Sequence, residues 1–580
     1  MSSKTSIPGV VSLVFAVTGH RDLCPEDFGM LELEVGKIFA DFQRHDRFPH
    51  TPLILLSALA EGADRIAVRA ARAASIPYIA VLPMQEDLYR DDFETEASDI
   101  EFEELLNGAE RRIVLPLSEN HTVEEVSQDG PARDLQYQSL AAFLVNHSQI
   151  LVAIWDKMKG TGKQGGTSEV VAMKLGDIRS SVRNATFGVT EGGAGPVYKI
   201  QARRLSAPET LPGLRCTREF PGDSTAENYD AIYKLLDQYN ADVEKFSVAL
   251  EEAARKSKER LFEGGAPTGL TPAMEWVASV YAWADTLAIQ FARRSLRLWN
   301  RVFVLLGCGG VALTLLHSPH GRWTTTVTIL IVYYACLLVA FRLGKWEVKR
   351  RGRNRHEDYR AFAEALRVQF FWMVAGLPDL AADEYLRVQA GDMVWIRNAI
   401  SECTLHKGMP ECRESNLGGC GSQLSLLRKW VEGQVQYFRK RSLEGDQKEK
   451  IFHILAIFLA SVGVVLPGLA FLVRWVGIED KIGLATAWHP ISGIAMWWAA
   501  LAWNYSERRG FAQEATQYAR MYDLFDAAGA DLRRLEKQGV GESSRRADEI
   551  IRNLGREALA ESGDWLRMHR ERKLTPGLGV

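Results

Sequence analysis

The sequence predicts an α/β fold with a parallel sheet in its N-terminal half. An all-α membrane domain follows, with four transmembrane helices in two repeated hairpin units and long cytosolic helices. Two observations carry this. From residue 11 to about 205, short β-branched runs alternate with helical patterns, as in a sheet covered on both faces. Beyond residue 300, four stretches, 302–316, 323–341, 451–473 and 484–503, are apolar and hold no Asp, Glu, Lys or Arg. Each approaches the about 20 residues that a helix needs to cross a bilayer.

The expected units are 1–210 for the sheet domain, 211–270 for a linker and cytosolic helix, and 271–400 for the first two-span unit. A cysteine-containing loop, 401–428, and a second two-span unit with a C-terminal helix, 429–580, complete the chain. At 580 residues it is too long for one core. Lys and Arg number 70 against 73 Asp and Glu, a formal net charge of -3, which argues against nucleic acid as a partner. The start "MSSKTSIPG" carries one Lys and the run "VVSLVFAV" is short for a signal-peptide core, so the N-terminus is expected in the cytosol. Seven scattered cysteines make no disulfide framework in a chain this size and fit a reducing compartment.

Six strands are expected, "LVFAVTG", "PLILLSAL", "YIAVLP", "RIVLPL", "QILVAIW" and "VYKIQARR", with "GADRIAVRAARAAS" and "TSEVVAMKLG" among the intervening helices. Rossmann-like sheets of this kind take ligands at the carboxyl ends of their strands, where loops meet helix N-termini. Three glycine-bearing turns fall there. "TGHRD" follows the first strand with Thr18, Gly19, His20 and Arg21, "SALAEGAD" follows the second with Ser57, Glu61, Gly62 and Asp64, and "WDKMKGTGKQGGTSE" follows the fifth with Gly165, Gly166, Thr167 and Glu169. Glycine permits close backbone approach, N–H groups at a helix start attract an anion, and Arg21 adds a cationic fork. "GTGKQGG" lacks the Gly-Lys-Ser/Thr ending of a Walker A loop, which excludes a P-loop NTPase. Plain structural readings stand beside these: Glu61 and Asp64 as carboxylates at a helix N-terminus, His20 as a packing or hydrogen-bonding residue. The carboxylate-rich run Glu86 to Glu104 reads as ordinary helices with a solvated acidic face.

Residues 206–228 have the Pro/Gly/Ser content of a linker, and 229–262 read as one long helix. A helix is expected to start at Thr271-Pro272, with Thr as N-cap and Pro in the first turn. The basic flanks "ARRSLRLWNR", "RLGKWEVKRRGRNR", "FRKRSLEGDQKEK" and "SERRG" lie on one side if the four spans alternate, which places both termini in the cytoplasm. "QFARRS" before the first pair of spans matches "QYFRKRS" before the second, so the pairs read as copies of one unit. Spans without ionisable groups argue against an ion-coupled transporter. Gly307, Gly309, Gly310, Ser461 and Gly463 allow close helix approach and hence assembly within the membrane, while Pro467 and Pro490 either kink their spans or are simply tolerated. Cys403, His406, Cys412 and Cys420 are residue types that ligate zinc, but no Cys-x2-Cys pair is present, and unligated thiols are the plainer reading.

The trio "VTGHR", "LAEGAD" and "GGTSE", with "LPMQEDLYRDDFETEASDIEFEELL" between the third and fourth strands, resembles the SLOG superfamily, over about residues 10 to 205. That group includes the LOG nucleotide phosphoribohydrolases, the DprA-like proteins and the ligand-sensing region of TRPM channels. The membrane half is similar to SLATT two-span effectors through "YAWADTLAIQFARRSLRLWNR", "YRAFAEALRVQFFW" and "REALAESGDWLRMHRER". The resemblance implies a nucleotide or nucleotide-derived second messenger sensed in the cytosol, with a response in the bacterial cytoplasmic membrane during conflict with phage. It implies phosphate near Gly19, Arg21, Gly165, Gly166 and Thr167, and ribose or base near Ser57, Glu61, Gly62 and Glu169. The LOG motif PGGxGTxxE is here compressed to Gly165-Gly166-Thr167-Ser168-Glu169, and the arginine that pairs with it is not evident.

Three functions follow as expectations. The first is a non-enzymatic sensor-effector that binds such a ligand and permeabilises or remodels the membrane as a homo-oligomer, with no cofactor. The second is a membrane-tethered enzyme cleaving an N-glycosidic bond with Glu169 as its carboxylate. The third is a constitutive channel or scaffold with a vestigial head.

Overall fold

The computed structural model describes residues 7–571 except 94, 119–120, 157–164, 179–192, 207–214, 263–269, 317–322, 352–354, 386–392, 406–419, 477–483 and 539–541. In chain order the first elements are β1 (Leu13–Gly19), α1 (Phe28–Gln43), β2 (Leu53–Ser57), α2 (Ala63–Ala73), β3 (Tyr78–Leu82), α3 (Glu86–Arg90) and α4 (Glu96–Asn107). Next come β4 (Arg111–Val114), α5 (Val123–Val126), α6 (Pro131–His147), β5 (Ile150–Trp155), α7 (Thr167–Leu175), β6 (Val197–Gln201) and β7 (Cys216–Glu219). The helical remainder is α8 (Ala226–Phe246), α9 (Glu251–Leu261), α10 (Pro272–Leu316), α11 (Trp323–Arg351), α12 (Arg355–Val374), α13 (Ala381–Glu384) and α14 (Val394–Leu405). It ends with α15 (Cys420–Trp475), α16 (Leu484–Arg509), α17 (Phe511–Gln538) and α18 (Glu542–Glu571).

The seven strands form one sheet in the order β4-β3-β2-β1-β5-β6-β7. All neighbours pair in parallel except β6 and β7. Every residue of β2, β3 and β5 is buried, which is why these strands read as unbroken apolar runs instead of alternating ones. One face packs Val14, Ala16, Leu56 and Val81 against Phe143 and Leu144 of α6 and Val170 and Val171 of α7. On the other, Phe15 meets Phe39 and Phe42 of α1 edge-on, with ring centroids 5.4 and 5.1 Å apart. Such aromatic pairs add about 0.5–1.5 kcal/mol each beyond their buried area.

All six expected strands are present. Residues 206–228, expected as linker, contain β7, and the helix expected over 229–262 is two, α8 and α9, broken at Ser247–Leu250. The α8 helix belongs to the sheet domain. Asn240 donates from Nδ2 to the Val11 carbonyl at 2.8 Å and accepts from the Val11 N–H at 2.9 Å, satisfying the backbone just ahead of β1. Helix α14 also joins this core: the Ser12 N–H donates to Glu402 at 3.4 Å, Arg111 donates to the Leu405 carbonyl at 3.2 Å, and Leu405 packs into the sheet cluster.

The chain divides into two compact units, one formed by residues 1–287, 358–427 and 544–566, the other by 288–357, 428–543 and 567–580. Three helical stretches, Pro272–Leu316, Trp323–Trp346 and Leu427–Val473, are long and apolar enough to cross a membrane. The fourth expected span falls in α16, which is helical but does not reach that apolarity among the described residues. Its sequence alternates tryptophans at 488, 497, 498 and 503 with His489, Pro490 and Ser492, and indole N–H groups make tryptophan less apolar than leucine. The expected leading helices and spans are continuous in α10 and α15, and α15 and α16 run through Pro467 and Pro490. The two expected repeats fall on α10-α11-α12 and α15-α16-α17.

Within the second unit the span glycines are filled by the chain's own side chains. A Cβ on Gly307 would lie 2.6 Å from the Trp498 ring, one on Gly310 2.1 Å from Trp497, and one on Gly463 2.5 Å from Met496. Trp497 donates its indole N–H to the Leu306 carbonyl at 3.0 Å. Gly307, Gly310 and Gly463 thus serve the packing of α16 on α10 and α15. Helix α11 exposes Ile331, Tyr334, Leu338 and Phe341, and α15 exposes Ile454, Ile457, Phe458, Val464 and Phe471, apolar faces of the kind a lipid phase covers.

Candidate functional site

Strand order sets where a ligand can approach. From β1 the chain winds outward through β2, β3 and β4, then returns to place β5 on the other side of β1. The crevice beyond the carboxyl ends of β1 and β5 is therefore the topological switch point of the sheet. Three predicted turns meet at this edge.

After β1, Gly19 leaves no room for a side chain: a Cβ there would stand 2.3 Å from the Ala63 Cβ and 2.4 Å from the Ile154 carbonyl oxygen. His20 follows, its N–H donating to the Ile154 carbonyl at 3.1 Å and its Nε2 lying 3.0 Å from Asp156 Oδ1. Asp156 Oδ2 in turn faces Arg204 Nη1 at 3.5 Å, and Arg204 donates to Asp22 at 2.9 Å. Arg21 is partly exposed. Its guanidinium reaches Asp92 at 3.4 Å and the Tyr137 hydroxyl at 3.3 Å and lies over the Tyr137 ring, 5.6 Å from the centroid. Arg133 of α6 holds Asp92 from the other side at 2.7 Å.

After β2, Leu59 adopts a left-handed backbone at φ 58 and Gly62 another at φ 73. Left-handed non-glycine residues carry strain that clusters at functional sites. Gly62 approaches the first turn closely, since a Cβ there would meet the carbonyl oxygens of His20 and Arg21 at 2.4 and 2.5 Å. Asp64 does not face solvent. It is buried, accepting from the Ala58 N–H at 2.8 Å and the Ser57 hydroxyl at 3.2 Å, and burial lifts its carboxyl to about 6 against those hydrogen bonds. Glu61 turns toward α4 and accepts from the Ser98 hydroxyl. Ser57, Glu61 and Asp64 thus brace the β2 turn and hold Gly62 under the β1 turn.

After β5, residues 157–164 lie outside the described part and Gly165 resumes at φ 77. A Cβ on it would press within 2.9 Å of the α6 backbone at Tyr137. Gly166 is the N-cap of α7 and Thr167 its first residue, buried. Glu169 accepts from the Gly165 N–H at 2.6 Å on one oxygen and from Gln138 at 2.8 Å on the other.

Of the predicted residues, Thr18, Gly19, His20, Arg21, Gly62, Gly165, Gly166 and Thr167 gather at the β1–β5 tips, while Ser57, Glu61, Asp64 and Glu169 spend their oxygens within the protein. Asp156, Arg204, Tyr137 and Gln138 belong to the site and were not predicted. The first two were legible as the polar residues just past β5 and β6; the other two are brought in by α6 alone.

The zinc types are not gathered among the described residues. Cys403 is buried in α14, its thiol pushed well above the usual range by burial and by Glu402, the reverse of what a thiolate ligand needs. His406 and Cys412 lie outside the described residues, and Cys420 opens α15. No group of three or more His, Cys, Asp or Glu among the described residues is placed to hold a metal. A polar cavity of about 20 Å³ lies near Ser148 and Gln149, before β5; it has room for roughly one water and is remote from the strand tips.

Comparison of the chain with protein-family models, with curated proteins and with solved structures finds no match.

Proposed function

We propose that the chain is a membrane-anchored sensor-effector. Its SLOG-like head binds a nucleotide-derived ligand in the bacterial cytosol, and a four-helix transmembrane module responds by permeabilising or disrupting the membrane, in defence against phage. The observation that carries this reading is the convergence of the glycine-bearing turns after β1, β2 and β5 at the switch point of a parallel sheet, in a chain that also holds membrane-length apolar helices. Phosphate lies against Gly19, Arg21, Gly165, Gly166 and Thr167 in this reading. The tight packing of α16 on α10 through Trp497 and Trp498 supports counting α16 as the fourth span.

Binding and not turnover is favoured because both Glu169 oxygens already accept a hydrogen bond from the protein itself, from Gly165 and Gln138, which gives this carboxylate a role in holding the turn ahead of α7. A ligand alters the membrane module only by the difference in its affinity for two conformations. The test is full-length protein in dye-loaded liposomes, challenged with a panel of nucleotides and cyclic nucleotides. One of them should release dye, remain intact by chromatography, and fail to act on a Gly166→Trp protein. Ligand consumed during the assay points instead to the tethered glycosidase, and dye release independent of every ligand points to a constitutive channel.

A further inference from the structure

Helix α10 carries Arg293, Arg294, Arg297 and Arg301, all exposed. At 100° per residue, 293, 297 and 301 fall on one stripe with 294 beside it. The stripe continues as Val304, Cys308 and Leu315, also exposed. On the opposite face Leu298, Trp299 and Val302 are buried against Ala340. The outward face of α10 therefore changes from cationic to apolar between Arg301 and Val304, a rise of about 4.5 Å.

Aromatic side chains collect at the same depth. Tyr505 donates to Asn300 at 3.3 Å and meets Phe303 edge-on at 5.1 Å; Phe452 lies 5.0 Å from Tyr505, and His453 stacks on Trp503 at 4.7 Å. Belts of Trp and Tyr mark the boundary between hydrocarbon and water. The α10 arginines thus stand in the headgroup layer and just beyond it, with no carboxylate partner among the described residues. On α15, Arg441 and Lys450 pair with Glu444 at 3.5 Å and Asp446 at 2.7 Å, while Arg439, Lys440 and Lys448 are exposed as the α10 arginines are.

We propose that this arginine row is a binding site for the phosphates of anionic phospholipids. At that depth, lipid phosphate is the anion present in bulk, and the guanidinium fork matches two phosphate oxygens. Phosphatidylglycerol has a net charge and phosphatidylcholine none, so the row selects the former by about fivefold per engaged arginine. The proposal is independent of the nucleotide reading and needs only that α10 crosses a bilayer.

The experiment equilibrates the full-length protein with equimolar phosphatidylglycerol and phosphatidylcholine in mixed micelles and quantifies retained lipid by native mass spectrometry. The wild type should retain phosphatidylglycerol preferentially. Replacing all four arginines by Gln should cut the preference at least tenfold, replacing them by Lys should leave most of it, and Arg533→Gln with Arg534→Gln on α17 should leave it unchanged. Equal retention of the two lipids by the wild type, or undiminished selectivity in the Gln variant, overturns the proposal. If the Gln variant does not fold, salt gives the second arm. The wild-type preference should vanish at 1 M salt, where the screening length is about 3 Å, and persistence at that salt overturns it equally.

Discussion

Asp64 shows how the head spends a carboxyl on its own architecture. Burial raises it from the ordinary 3.8 to about 6, so the folded state holds its proton more tightly than the unfolded chain. Its stabilising contribution is lost as pH rises from 3.8 to about 6 and regained as pH falls through that window. At about 1.4 kcal/mol per pH unit the swing is roughly 3 kcal/mol. An Asp64→Asn protein should show a flatter dependence of melting temperature on pH between 4 and 7, and parallel profiles for the two proteins would contradict the assignment. Gly62→Ala places a side chain at φ 73 against two carbonyl oxygens and should cost at least about 1–2 kcal/mol, with loss of the proposed ligand binding. Gly36→Ala, in the interior of α1 with open space around it, should instead stabilise by roughly 0.5–1 kcal/mol; thermal melts of the pair check both signs. At this scale the site was legible where a residue follows a strand directly, as His20 and Arg21 do. It was illegible where a helix crossing brings the residue in, as α6 does for Tyr137 and Gln138.

Elements were legible in proportion to their burial. β1, β2, β3 and β5 are apolar because both faces of the sheet are covered there, and that burial is written into composition. The "CTRE" of β7 is an exposed antiparallel edge and has no such mark, so it read as linker. The break between α8 and α9 at Ser247–Leu250 carries neither glycine nor proline, and a continuous helix was the natural expectation. Glycine spacing in the spans was seen, but its partner was not, because tryptophans on a helix nearly two hundred residues away fill it. Gly310→Ala should therefore disturb the α10–α16 contact and lower the melting temperature in detergent, since the new Cβ meets the Trp497 ring at 2.1 Å. Gly309→Ala should be silent, its Cβ meeting Cys336 at 3.7 Å and Leu337 at 3.9 Å, both ordinary van der Waals contacts. A matching loss in both variants would show that helix propensity or lipid contact, not this packing, governs the site.

For the molecule as a whole, the class of each half was readable from hydropathy alone, whereas the grouping of segments was not. The sequence order suggests a head followed by a membrane region. In the structure, α14 packs on the sheet domain, and residues 358–427 and 544–566 share the first unit with residues 1–287, because their apolar faces are complementary only in three dimensions. The chain changes unit at 287/288, 357/358, 427/428, 543/544 and 566/567, and each of these points lies inside α10, α12, α15 or α18.

That last feature constrains what kind of message the polypeptide can carry. A loop absorbs slack, but a continuous helix conveys twist and axial slide. One extra alanine inserted after Ala288 turns the part of α10 beyond it by 100° relative to the part before it and advances it 1.5 Å along the helix axis. Under the proposed sensor-effector function, such an insertion should silence nucleotide-triggered dye release while nucleotide binding persists. Seven added residues, close to two full turns, should restore the angular phase and part of the response; a flexible tether would be indifferent to both.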